Sequence, residues 1–274
     1  MKIAIIDSSK CEYAQPECIA KELRLLGHDV AFFDASLVPS NYIKICIITD
    51  IGPSTSVDHK PLVDGIKSNA DLKFIANKDC LLKYFDKKDC YYLPYGVDMD
   101  IYSFCSSKKN SEIVFVGHNK PKDFPGRDNK LKFLKKIFSR RFKVLEGIFG
   151  EDCAKIYSES KIVFNYSIRG EITMRPFEAL ACKTLLITND VSYLDELFKD
   201  DVHLVVYRSN KELEEKVKYY LDPKNEEERN KIANNGYKEV KKHTYKIRAK
   251  FVDKKICEYE NRNRKRQSNF KKKN

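Results

Sequence analysis

The residues best suited to chemistry fall between Asn165 and Asp190, in NYSIRGEITMRPFEALACKTLLITND. Thr173 is of the type that caps helix N-termini, and Pro176 fits a first turn, where a missing N–H is harmless. A helix starting there presents free N–H groups and the positive end of its dipole, which attract anions. Arg175 adds a planar guanidinium fork matched to phosphate oxygens. Glu178, three residues on, shares its face. One carboxylate can accept hydrogen bonds from two neighbouring hydroxyls, as on a ribose. Cation and carboxylate so spaced suit a nucleoside diphosphate, although a plain surface Arg–Glu pair has the same spacing.

Further candidates stand outside that segment. Gly117, after the apolar run EIVFV, lets backbone approach a ligand closely. His118 follows it and can hydrogen-bond a phosphate or a sugar. Asp58 and His59, in the polar stretch IGPSTSVDHK, are candidates for a general base. His28 and His203 each lead into a strand and read as structural. There is no G-x-x-x-x-G-K-[ST] segment and no serine triad. Ser8-Ser9 follows the first strand, where dinucleotide binders carry a glycine-rich turn, which argues against NAD or FAD.

The elements that must position these residues alternate in kind. Apolar runs at 2–7, 28–34, 43–49, 72–76 and 91–94 read as strands, with helices at 14–27 and about 81–85. After the polar break Ser103–Ser111 the pattern restarts. Strands are predicted at 112–117, 142–147, 161–167, 184–189 and 203–207. Helices are predicted around 131–138 and at 151–159, 174–182, 193–198, 211–221 and 226–242. A last helix over 245–260 puts Ile247, Phe251 and Ile256 near one face. The fold class is α/β: two Rossmann-like halves, an expected cleft between them, and a C-terminal helix returning to the first half. The domains read as 1–108, 109–244, the returning helix 245–260, and a disordered basic tail 261–274.

Composition narrows the class. The chain has 274 residues, 42% of them hydrophobic, enough to build packed cores. Its net charge is +12, and the last fourteen residues, NRNRKRQSNFKKKN, supply seven cations and no acid. That tail is either a solvated end or a contact for nucleic acid or an acidic membrane surface. Nine cysteines without a C-x-x-C pair fit reduced thiols, many of them small core residues, rather than a zinc site. No stretch of about 18 apolar residues occurs and no signal peptide is read, so a cytoplasmic location is expected.

RPFEALACKTLLITND resembles the R-x-F-E-A-x-A-C-G-x-x-x-x-T-x-D stretch of glycosyltransferases with the GT-B fold, nearest to family-4-like, spore-maturation-type transferases (glycosyl transferases group 1 domain). Two further blocks agree. One ends in His243, Thr244, Tyr245 and Arg248, in the pattern H-T-Y-x-x-R. The other is LPYGVDMDIY, similar to a P-x-G-V-D segment that closes the first domain. The resemblance covers about 90–250 and implies transfer of a sugar from a nucleotide-diphosphate sugar to a hydroxyl, on a glycan or a modified DNA base. It places Glu178 on the donor ribose, with Arg175, Arg127 and the loop at Gly117 around the pyrophosphate. It implies no cofactor and no metal, although Asp98-Met-Asp100 forms a D-x-D string, and it leans toward retention at the anomeric carbon. Two positions depart from the pattern. The second acid falls at Glu171, one residue out of register, and Lys183 replaces a glycine, where it can turn toward the donor phosphates. Those departures leave open a catalytically inactive nucleotide or nucleic-acid binder of the same fold. A nucleotide-sugar epimerase of similar architecture is a third reading.

Overall fold

The computed structural model describes residues 1–6, 15–33, 37–49, 70–85, 88–119, 121–122, 124–168 and 170–271. The chain divides into two compact units. The first joins Met1–Pro94 to Tyr245–Asn274, and the second is Tyr95–Thr244. Asp58, His59, Ser8 and Ser9 lie outside the described residues.

The first unit holds a parallel sheet of β1 (Lys2–Ile6), β2 (Asp29–Phe33), β3 (Ile43–Ile48), β4 (Leu72–Ile75) and β5 (Cys90–Tyr92), ordered β2-β1-β3-β4-β5. Helices α1 (Gln15–Leu25) and α2 (Lys78–Tyr84) flank it. Strands of this kind are apolar on both faces because helices cover both. Ile3, Ile5, Ile45, Leu72 and Phe74 are accordingly buried with Ile19 and Leu23 of α1.

The second unit repeats the plan. Its strands are β6 (Ser111–Val116), β7 (Phe142–Leu145), β8 (Ser160–Asn165), β9 (Leu185–Asn189) and β10 (Val205–Tyr207), all parallel and ordered β7-β6-β8-β9-β10. Around them run α3 (Pro125–Phe138), α4 (Gly150–Ser158), α5 (Met174–Ala181), α6 (Asn210–Leu221) and α7 (Glu226–Val240). Both sheets reverse direction between the first and third of their strands. That reversal is the topological switch point, where ligands sit beyond the carboxyl ends of the strands. In the second unit it lies between β6 and β8, whose following loops carry Gly117 and Glu171.

Helix α8 (Tyr245–Lys271) joins the first unit. Its buried face is Tyr245, Ala249, Val252 and Ile256, spaced for one stripe. Ile247 and Phe251 are largely exposed, which corrects the expected face. The helix also continues through the segment expected to be a disordered tail, as far as Lys271. Its side chains there face solvent. Arg262 pairs with Asp89 and Arg264 with Glu260. The helix expected at 193–198 is instead a set of turns: Tyr193 has φ 62°, a left-handed conformation that interrupts a right-handed helix. Among the described residues every cysteine is free, and most are buried. No described helix is long and apolar enough to cross a membrane.

Candidate functional site

Helix α5 breaks the usual rules for a helix start. Thr173 occupies the N-cap but makes no capping bond, and no acid lies in the first turn. An arginine stands there instead, beside the positive end of the dipole. A helix start so exposed is a place for an anion.

The Arg175 side chain is held in one position. Its Nε donates to the Val116 carbonyl at 3.0 Å, and Nη1 donates to Asn165 Oδ1 at 2.5 Å. The guanidinium thus ties the ends of β6 and β8, the two strands of the switch point. Asn165 is itself fixed, donating to the Thr188 hydroxyl at 2.8 Å. Gly117, with φ 147°, follows Val116, and any Cβ there would collide with Arg175 Nη2. Glycine is required at that position by both its dihedral and its neighbour.

Arg127 comes from the first turn of α3, whose N-terminus likewise lacks a side-chain cap. It is 8% exposed and donates to the carbonyls of His118, at 2.9 Å, and Tyr166, at 3.4 Å. Its Nε is buried without a partner among the described residues. The two guanidinium carbons lie against one ring, that of Phe115, at 4.5 Å for Arg175 and 5.5 Å for Arg127. Burial first, and then the Arg175 charge, push Arg127 down to about 10, so it stays charged at neutral pH. Two cations and two uncapped helix starts at one switch point suit a diphosphate.

Glu178 lies one turn further along α5 and is half-buried. Burial raises its carboxyl from 4.5 to about 7, against the opposing pull of the Arg175 charge and a hydrogen bond from the Tyr102 hydroxyl. Tyr102 was not singled out in the sequence beyond its place in LPYGVDMDIY, and its ring gives no signal that the hydroxyl reaches α5.

The remaining candidates scatter. His118 is exposed, its ring 6.2 Å from that of Phe149. Glu171 is half-buried in the loop between β8 and α5. Lys183 sits at the other end of α5, about 12 Å from its start at 1.5 Å per residue. It adopts φ 51°, the left-handed conformation a glycine would take there, and its ammonium lies over the rings of Tyr237, at 4.6 Å, and Phe104, at 4.9 Å. It does not turn toward the helix start as expected. Asp98 accepts the Asp100 N–H at 3.0 Å, so the D-x-D string closes a local turn. His28 donates or accepts at Asp253, 2.9 Å away, packing α8 onto the first unit as a structural residue would. Among the described residues no three His, Cys, Asp or Glu side chains group as metal ligands.

The doubled parallel sheet, with its polar residues gathered at one switch point, is the plan of the GT-B glycosyltransferases. The chain belongs to the glycosyl transferase-like family, which matches it over residues 109–253. Among solved structures it is similar to Anabaena HepE in complex with UDP-glucose, with a TM-score of 0.74 at 12% identity over 94% of this chain and 100% of that one. Sucrose-phosphate synthase from Thermosynechococcus elongatus gives 0.69 at 12% identity, over 94% and 98%. A glycosyltransferase from Rickettsia africae gives 0.67 at 13%, over 95% and 98%. At such identities the likeness is one of fold. No curated protein matches the chain.

Proposed function

We propose that the second unit binds a nucleotide-diphosphate sugar and that the chain transfers the sugar to a hydroxyl of a glycan, with the first unit taking the acceptor. The observation that carries this is the start of α5: uncapped, acid-free, and bearing Arg175 pinned across the ends of β6 and β8. Arg175, Arg127 and the helix start would hold the diphosphate and stabilise its charge as it leaves, so the reaction needs no metal. Glu178 would accept hydrogen bonds from the ribose. Glu171 and His118, in the loops beside Arg175 and Arg127, are assigned to the sugar. HepE binds UDP and UDP-glucose, which makes uridine nucleotides the first donors to try. The resemblance of the α5 segment to retaining enzymes favours retention.

The test is donor turnover. The full chain is incubated with UDP-glucose and other nucleotide sugars, and released nucleoside diphosphate is measured with and without EDTA. Slow release that survives EDTA and falls at least about tenfold in Glu178→Gln is expected. Binding without release would favour the inactive binder.

The exposed cationic end of α8 favours a second acceptor, DNA. Removal of 261–274 would then weaken DNA binding and flatten its salt dependence. Unchanged DNA affinity in the truncated chain excludes that role for the segment.

A further inference from the structure

We infer that Tyr102 is a positioning residue for Glu178, its hydroxyl braced by the first N–H of α4 and donating to the carboxylate that faces the donor ribose. The inference rests on the donor-site reading. Tyr102 lies in the segment before β6 and is 5% exposed. Gly150, the first residue of α4, donates its N–H to the phenol oxygen at 3.3 Å. The phenol has one proton, and that proton goes to Glu178. One hydroxyl therefore links three elements, the segment before β6, α4 and α5, and has no freedom to rotate.

A carboxylate removed from water must find donors or take up a proton. The groups facing Glu178 are few. Arg175 lies on its own helix, Cys182 lies just beyond that helix, and Cys153 and Tyr157 come from α4. Burial raises both thiols and the Tyr157 phenol, so they stay neutral in the pH range where Glu178 titrates. Arg175 spends Nε and Nη1 on Val116 and Asn165. Tyr102 is then the side chain whose hydrogen bond favours the ionised, ribose-accepting form, and it orients that form at the same time.

Tyr102→Phe removes the proton and keeps the ring. The first readout is the Glu178 carboxyl titration, followed by carbon NMR in the ligand-free chain and assigned by its loss in Glu178→Gln. The second is UDP affinity from pH 6 to pH 9. The midpoint should move up in Tyr102→Phe. Its UDP affinity should match the wild type within about twofold at pH 9 and fall to about tenfold weaker near pH 6, the size expected for one hydrogen bond to a charged group. Cys153→Ala, which loosens packing beside the same carboxylate, should move neither readout, and thermal melts check that each variant folds. An unmoved titration, or a loss of affinity equal at every pH as a purely structural ring would give, overturns the inference. If Glu178→Gln binds UDP as the wild type does, the donor reading has failed, and with it any part for Tyr102 in binding. The titration separates that failure from absence of the contact.

Discussion

A side chain at Gly117 has nowhere to go but into Arg175. Its Cβ position falls on Nη2 of a guanidinium already tied to Val116 and Asn165, so relief requires breaking both bonds. Gly117→Ala should therefore cost about 1–3 kcal/mol of stability, combining left-handed strain with the displaced arginine. It should weaken UDP binding more than a distant substitution of equal instability. Thermal melts beside calorimetric titration decide this, and a variant that melts lower but binds UDP normally would detach Arg175 from the ligand.

Arg175→Lys tests the fork itself. Lysine offers a point charge on a flexible stem and cannot reach both strand ends in one plane. UDP affinity should fall about 10–100-fold, as for loss of a charge-assisted bidentate contact, while the fold persists. Retained affinity would mean that charge alone, rather than the fixed guanidinium, serves the site.

Glu178 makes stability and binding depend oppositely on pH. Its folded carboxyl titrates near 7, above the ordinary 4.5. A raised carboxyl contributes stability that is present below its unfolded value and lost as pH rises through the folded one. The wild type should therefore lose on the order of 2–3 kcal/mol between pH 4.5 and pH 8 relative to Glu178→Gln, whose profile lacks that term. Nucleotide binding, which uses the ionised form, should strengthen over the same interval. Parallel melts of both chains across pH check the first part, and identical profiles would contradict it.

Lys183→Gly should leave UDP affinity unchanged, because Lys183 lies at the far end of α5 over Tyr237 and Phe104. Relief of the left-handed backbone and loss of the two ring contacts oppose each other, so stability should change by less than about 1 kcal/mol. A marked loss of UDP affinity would return Lys183 to the donor site.

Much of this was legible in the sequence, for physical reasons. Strands buried on both faces are continuous apolar runs, and each of the ten was found within a few residues. Arg175 and Glu178 could be read because their spacing within one helix fixes their relation. What could not be read depends on distant parts of the chain. Tyr102 reaches Glu178 only once α4 and α5 pack, and Asn165 holds Arg175 only because β8 lies beside β6. The turn at Tyr193 and the true face of α8 were missed where apolar spacing fits more than one helical stripe. Lys183 was misplaced because a helix C-terminus and its N-terminus are near in sequence yet a helix length apart in space.

The most direct test of the central claim is a thermal-shift comparison of the wild type and Glu178→Ala against UDP, GDP, ADP, TDP and CMP and their sugar conjugates. A ligand present at about 100 times its Kd adds about 2.7 kcal/mol to the native state. The account predicts a clear upward shift with one nucleotide series, reduced or lost in Glu178→Ala. No shift with any nucleotide, or an equal shift in both chains, would contradict it.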